Sequence, residues 1–443
     1  MQKRKYSLGN ILSSLKIDTL NEMQQASLDA NKQHNDVILL SATGSGKTLA
    51  FLLPVLELLD PASKSTQAMI VVPSRELALQ IEKVFKQMGT GYKITACYGG
   101  HLRETEENNL IQAPAVIVGT PGRIGDHIRR GNITTAAIET LILDEFDKTL
   151  ELGFQEEVSF IVESLPAVKK HILTSATEAV EIPDFVKLDN PARLNFLPED
   201  GVIAPRLAIK QVLSPEADKI DTLFRLICFL GNRSTIVFCN HREAVERTSK
   251  LISEKGILNT FYHGAMEQQQ RDNALCKFRN GTVNVLVTTD LAARGLDIPN
   301  IRYIVHYHLP HTEDSWTHRN GRTARMEASG TAIIIIAPDE KLMPYVNAEE
   351  TETITLPATA ELPDKPKWTT LFIAAGKKDK VNKVDIVGFL TNRGMLKKED
   401  IGLIEVKDFF SFVAVVKSKA SHVLHAIKDQ RIKNKKVKID IAK

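Results

Sequence analysis

The chain has few cysteines and none with a paired spacing. Cys97, Cys228, Cys239 and Cys276 stand far apart in 443 residues, so neither a structural metal nor a disulfide framework is indicated, and a reducing cytoplasm is the expected compartment. No apolar run approaches the ~20 residues a membrane helix needs. Ile333–Ile336 is short and β-branched, as a buried strand is. The basic start Met1-Gln2-Lys3-Arg4-Lys5 resembles the head of a signal peptide, but Ser13, Ser14, Lys16 and Asp18 break the stretch behind it. A mature protein with no membrane partner is expected. A strong charge of one sign is also missing: the net charge is +3. That small value conceals a segregation, because residues 367–443 hold 16 Lys and 2 Arg against 8 Asp and Glu, a local +10, and leave −7 for the rest. A basic segment on a mildly acidic chain points to nucleic acid, although solvated lysines on an ordinary surface are the common alternative.

What the chain does have is a length that exceeds one compact core, and a rhythm. Short β-branched runs recur at Ala68–Val72, Val116–Val118, Leu141–Leu143 and Ile172–Thr174, each followed by a polar or Gly/Pro turn and helical periodicity. Parallel α/β sheets read this way. A second series, with strands at Thr235–Phe238, Val285–Thr288, Tyr303–Val305 and Ala332–Ile336, follows Pro198-Glu199-Asp200-Gly201. The expected organisation is one α/β lobe over residues 1–200, a second over 206–345, a linker over 346–366 and a small basic domain over 367–443.

The apolar run Val37-Ile38-Leu39-Leu40 leads into Ser41-Ala42-Thr43-Gly44-Ser45-Gly46-Lys47-Thr48, a P-loop pattern with Ser41 where the strict form has Gly. Such a turn aims backbone N–H groups and a helix N-terminus at phosphate oxygens. Lys47 is placed to reach the β- and γ-phosphates, and Thr48 to put its hydroxyl on Mg²⁺. The run Leu141-Ile142-Leu143 ends in Asp144-Glu145-Phe146-Asp147. There Asp144 would hold the same metal and Glu145 would orient the attacking water. A nucleoside triphosphate and Mg²⁺ are therefore the expected substrate and cofactor.

Further strings stand in order between and after these: Pro73-Ser74-Arg75-Glu76-Leu77-Ala78, Gly99-Gly100, Thr120-Pro121-Gly122-Arg123, Ser175-Ala176-Thr177, His263-Gly264, Gln268 with Arg271, Thr289-Asp290 through Asp297, and His318-Arg319-Asn320-Gly321-Arg322-Thr323-Ala324-Arg325. Over roughly residues 8–337 the chain resembles a DEAD-box RNA helicase. That resemblance implies two tandem RecA-like P-loop lobes and an RNA-stimulated ATPase acting as a monomer on RNA. It gives Gln24 the adenine edge and ATP as the preferred nucleotide, with Gln25 as a rival, Tyr6 as a candidate for the upstream stacking aromatic, and Asn21-Glu22 in place of the usual Pro-Thr. The nucleotide set it implies is Gln24, Thr43, Gly44, Ser45, Gly46, Lys47, Thr48 and, for the ribose, Asp297. Arg322 and Arg325 look like arginine fingers, and Asp147, Ser175, Thr177 and His318 like coupling residues. Arg75, Gly100, Thr120, Arg123, Arg271 and Thr289 match positions that grip the sugar–phosphate backbone. Phe146 stands where the family has Ala, putting the coupling of Asp147 to Ser175 and Thr177 in question, and Ala324 stands where it has Gly.

The basic segment reads strand, basic loop Gly376-Lys377-Lys378-Asp379-Lys380, helix, strand, strand, helix, strand, the layout of an RNA-recognition fold. Alternation puts Phe410 and Phe412 on one face and Val413 and Val415 on the other. The phenylalanines therefore either stack bases, with Phe372, or face the core. The stretch resembles the C-terminal RNA-binding domain of the DbpA type of DEAD-box protein, which implies ribosomal RNA, ribosome assembly and phosphate contacts from Lys377, Lys378 and Lys380. The expected activity is ATP-dependent remodelling or local unwinding of RNA. An ATP-gated RNA clamp and a DNA translocase on the same lobes are the alternatives.

Overall fold

The computed structural model describes all residues except 1–5, 43, 101–102, 178–181, 198–206, 291–297, 299–300, 322–329, 350, 429, 434 and 443, and the side chain of Asp314. The chain divides into two compact units, the first ending at Pro205.

The first unit is built on seven parallel strands: β1 (Asp36–Ser41), β2 (Ala68–Val71), β3 (Ile94–Cys97), β4 (Val116–Gly119), β5 (Thr140–Leu143), β6 (Lys170–Ser175) and β7 (Ala192–Phe196). They lie in the order β3-β4-β2-β5-β6-β1-β7. Because successive residues of a strand point to opposite faces, Val116 and Val118 enter one core with Phe51 and Phe85, while Ile117 enters the other with Val158 and Ile161. Both faces are covered by helices, as a parallel sheet requires. The order brings β5, β6 and β1 side by side, so the turns after Leu143, Ser175 and Ser41 meet at one edge. From β1 the chain crosses to β2 beyond β6 and β5, and this reversal opens a crevice at the carboxyl ends of the strands, where α/β sheets take their ligands.

The second unit carries a like sheet of β8 (Leu207–Leu213), β9 (Thr235–Phe238), β10 (Asn259–Tyr262), β11 (Val285–Thr288), β12 (Tyr303–His306), β13 (Gly330–Ile336) and β14 (Glu352–Thr353), in the order β10-β11-β9-β12-β13-β8-β14. Part of the expected linker thus packs on the lobe. Glu352 and Thr353 pair with Lys210 and Gln211 of β8, and Ile354 and Leu356 pack on the core.

The C-terminal segment folds as expected: β15 (Trp368–Ile373), the helix Lys383–Asn392, β16 (Ile401–Val406), β17 (Ser411–Val416), the helix Lys417–Ile427, a hairpin of β18 (Arg431–Ile432) and β19 (Lys435–Lys436), and β20 (Ile439–Ile441). Its antiparallel sheet has the order β16-β17-β15-β20. Val413 and Val415 face the core with Leu371, Ile386 and Val423. The aromatic face does neither of the two things open to it. Phe412 is fully buried with Ala442 against Cys276, on the lobe-two helix Gln268–Arg279, and Phe372 and Phe410 flank it. Polar contacts rim this patch. Lys407 pairs with Asp272 at 2.9 Å and Arg279 with Glu405 at 3.3 Å. Asn280 and Thr282 hydrogen-bond to the Thr370 hydroxyl. An apolar centre with a polar rim is the anatomy of a formed interface, and stacking of bases on this face is corrected accordingly.

Candidate ATP site and RNA-contacting surface

The P-loop opens the helix Lys47–Leu58, with Gly46 at its N-cap in the left-handed region, φ 97°. Lys47 is buried, and its ammonium donates to the carbonyls of Ser41 and Ala42. The preceding helix Glu22–Gln33 is tied to the loop from the side. Asn21 accepts from Gln24 N–H at 2.9 Å and donates to Ser45 O at 3.0 Å, and Gln24 Nε2 donates to Gly46 O at 3.3 Å. Gln24 is therefore the glutamine at the loop. Gln25 is turned to Asp29 on the exposed side, which removes the rival. Asn21, in place of the usual residue, caps the helix and grips the loop with one amide. Tyr6 is corrected: its hydroxyl donates to Leu56 O and its ring meets Tyr92. Nine residues along the helix from Lys47, that is about 13 Å away from the P-loop.

Asp144 ends β5 and is 3 % exposed. Burial, then the charge of Glu145, pushes its carboxyl up to about 6. Thr174 donates its hydroxyl to Asp144, and Glu145 N–H bonds both Asp144 (3.1 Å) and Thr174 Oγ1 (3.1 Å). Glu145 takes φ 50°, a strained value for a non-glycine residue, at the turn from strand to helix. Buried Glu145 Oε2, Asp147 Oδ1 and Ser45 Oγ have no hydrogen-bond partner among the described residues. These, with the Asp144 carboxylate, are oxygen donors of the kind that suit a hard divalent cation such as Mg²⁺.

Asp147 and the turn after β6 do meet. Asp147 Oδ2 accepts from Thr177 Oγ1 at 3.3 Å and from Ala176 N at 3.4 Å, while Ser175 Oγ donates to Thr177 O at 2.7 Å. Phe146 does not intervene. Its ring lies in the core with Leu143 and Val158, 2 % exposed, because consecutive residues of a helix point in different directions.

Beyond the ends of β2 and β3, the Arg75 guanidinium lies so close to Gly100 that a Cβ there would fall 2.2 Å from Nη1. Thr120 caps the helix Pro121–Arg129 and its N–H reaches Cys97 O at 3.0 Å. Arg123 Nη1 stands 3.3 Å from Glu106, a buried carboxylate that no motif announced. Four positions expected to act together are thus brought to one edge of the sheet.

Lobe two agrees less well. Thr289, at the end of β11, is partly exposed, but Arg271 is 5 % exposed, with its guanidinium on the Tyr262 hydroxyl at 2.7 Å and over the Tyr262 ring. The planar cation is thus held on both an oxygen and a ring of the same residue in this structure. His318 is buried on the helix Glu313–Asn320. Its neighbour Arg319, which the motif reading passed over, binds Asp290 (3.1 Å at Oδ2), His308 O and Asn240, and so ties three strand ends together. Thr43, Asp297, Arg322, Ala324 and Arg325 lie outside the described residues.

In the C-terminal domain Lys377, Lys378 and Lys380 are exposed on the loop that precedes the helix Lys383–Asn392. Lys377 N–H bonds Lys407 O and Lys378 N–H bonds Asp408 O, which clamps the loop to the β16–β17 turn. Only glycine fits at 376, where a Cβ would sit 2.3 Å from Lys407 O. Several lysines of the domain are paired, Lys433 with Asp385, Lys419 with Asp400 and Lys377 with Asp408 among them, so the net positive charge is carried by the cations left over from such pairs.

Residues 21–185 match the DEAD/DEAH box helicase family, 218–327 the helicase conserved C-terminal domain, and 370–441 the DbpA RNA binding domain. The chain is 30 % identical over 453 residues to the ATP-dependent RNA helicase DbpA of Bacillus subtilis, covering 95 % of this chain and 94 % of that protein. To DbpA of Escherichia coli it is 32 % identical over 456 residues, covering 99 % of each. Among solved structures, Saccharomyces cerevisiae Dbp5 bound to RNA and ADP BeF3 is similar with a TM-score of 0.67 at 27 % identity, over 79 % of this chain and 94 % of that one. Among the described residues no helix is long and apolar enough to cross a membrane.

Proposed function

The chain belongs to the DEAD-box ATP-dependent RNA helicases, and from that premise we propose that it remodels ribosomal RNA during ribosome assembly in the cytoplasm, locally unwinding short duplexes as a monomer. Likeness to the two DbpA proteins along nearly the whole chain, RNA-binding domain included, supports this target. The RNA-stimulated hydrolysis of ATP is the family's reaction.

In this reading Gln24 reads the adenine edge, and the N–H groups of Thr43 to Gly46 cradle phosphate. Lys47 leaves the Ser41 and Ala42 carbonyls for the β/γ-phosphates. Thr48 and Asp144 would hold Mg²⁺, which supplies charge neutralisation at the phosphates. Glu145, whose Oε2 is buried without a partner, orients the attacking water, and Asp297 meets the ribose. Arg322 and Arg325 stabilise charge on the transferring group, a contribution of ~10³–10⁵ in rate where such fingers are measured. Asp147, Ser175, Thr177 and His318 couple the nucleotide to RNA. Arg75, Gly100, Thr120, Arg123 and Thr289 hold backbone without reading sequence, while Lys377, Lys378 and Lys380 add affinity and target choice.

The observation that carries the chemical reading is that Lys47, Asp144 and the Asp147–Thr177 pair all lie just beyond the carboxyl ends of the neighbouring strands β1, β5 and β6. ATPase stimulation by a ribosomal RNA fragment, generic RNA and DNA, with strand displacement measured alongside, tests it. Stimulation by generic RNA equal to that by the fragment removes the ribosomal target. Stimulation without displacement leaves a clamp, and equal stimulation by DNA a translocase.

A further inference from the structure

Glu106 lies 1 % exposed on the helix Arg103–Leu110, directly behind the Gly99-Gly100 turn. Its Oε1 accepts the N–H of Tyr98, the residue that opens the turn, at 2.7 Å. Its Oε2 meets His127 Nε2 at 2.7 Å and Arg123 Nη1 at 3.3 Å. Asn132 Nδ2 donates to His127 Nδ1 at 3.1 Å, which leaves the ring proton on Nε2 and makes the imidazole a donor to Glu106. The negative charge of Glu106 is matched by Arg123. Cys97 completes a buried group whose ligand atoms with Glu106 and His127 all lie within 4.8 Å of one another. The donor set resembles a metal site, but both carboxylate oxygens already take N–H donors, a guanidinium stands beside them, and burial pushes the Cys97 thiol well above its ordinary range. A centre for a cation would need the thiolate and an open carboxylate.

We propose that Glu106 is a positioning residue for the RNA grip of lobe one: one buried carboxylate sets both the backbone of the Tyr98-Gly99-Gly100 turn and the guanidinium of Arg123. The inference rests on the reading of Gly100 and Arg123 as backbone contacts. Arg123 presents five N–H donors in a fixed fork. Anchoring one corner on Glu106 aims the rest, so less side-chain freedom is lost when a phosphate arrives. The same contact screens the phosphate from the buried carboxylate. A Gln at 106 keeps the shape, yet it removes the charge and turns an NH₂ group toward N–H donors.

The test compares wild type, Glu106→Gln, Arg123→Gln and the double variant in the full-length protein, by the RNA concentration that half-saturates ATPase and by ATP affinity without RNA. Glu106→Gln should raise the half-saturating RNA concentration about tenfold and leave ATP affinity within about twofold, and on the Arg123→Gln background it should add only the part that acts through the turn, about threefold, since contacting residues couple. Additive effects overturn the proposal. So do an unchanged half-saturation, a loss of ATP affinity in step with RNA affinity, or one equivalent of zinc in the purified protein, which would make Cys97, Glu106 and His127 ligands. If Glu106→Gln does not fold, Glu106→Asp, which keeps the charge but withdraws the oxygens, is read by the same criteria. A wild type that RNA does not stimulate would instead remove the functional reading itself.

Discussion

Thr174 donates its hydroxyl to the buried carboxylate of Asp144 and at the same time accepts the N–H of Glu145. One side chain on β6 thereby holds ionised the residue that ends β5, against burial and the charge of Glu145, which push its carboxyl up to about 6. Ionisation of Asp144 is required for holding a cation, so ATPase should fall on the acid side of about pH 6, and less steeply with excess Mg²⁺. Thr174→Val removes the stabilising hydrogen bond and should move that limb to higher pH. A pH–rate profile that is superimposable for both proteins would refute the assignment.

The same shift has a thermodynamic sign. Because the folded carboxyl holds its proton longer than an unfolded one, with an ordinary value near 3.8, it contributes stability below about pH 4 that is lost as pH rises through about 6. Asp144→Asn should therefore gain in melting temperature relative to wild type, without added nucleotide, as pH is raised from 4 to 6. Melting curves by calorimetry across that window decide it.

Lys47→Ala should abolish hydrolysis, because the β/γ-phosphates lose their cation. Glu145→Gln should bind ATP and RNA yet stall before hydrolysis, holding RNA longer than wild type. Wild-type turnover in Glu145→Gln would show that another group orients the water.

Arg322→Ala should lower RNA-stimulated ATPase by orders of magnitude with little loss of ATP affinity, since its contact matters in the reacting state. Equal losses in rate and binding would instead make it a ground-state anchor.

Neutralising Lys377, Lys378 and Lys380 together should weaken RNA binding and flatten its salt slope by up to roughly three phosphate contacts' worth, at ~0.7 per contact for single strands. Phe412→Ala should act differently. It opens the packing against Cys276 and should cost about 3–5 kcal/mol, as core Phe→Ala changes do, seen as an early unfolding step of the C-terminal domain in denaturant. A salt slope unchanged in the triple variant would move the phosphate contacts elsewhere.

The sequence by itself determined the two parallel sheets, the βαββαβ tail and the strand-tip positions of Lys47, Asp144 and Ser175, because these depend on local signals: β-branched runs, glycine turns and a nucleotide-loop spacing whose geometry is set within a few residues. What lies between elements far apart in the chain was decided only by tertiary structure. Alternation could put Phe412 on a face but not say what covers that face, and the covering helix, Gln268–Arg279, lies more than a hundred residues earlier. Arg271 read as a backbone-gripping position, and only the fold shows Tyr262 beneath its guanidinium. Phe146 read as an obstacle until its ring was found in the core. Glu106, one acid among several on a polar helix, carried no signal, because its meaning comes from Tyr98, Arg123 and His127 converging on it in space. A side chain's type is written in the sequence, whereas its partners and its share of water are fixed by packing, and charge is governed by those two.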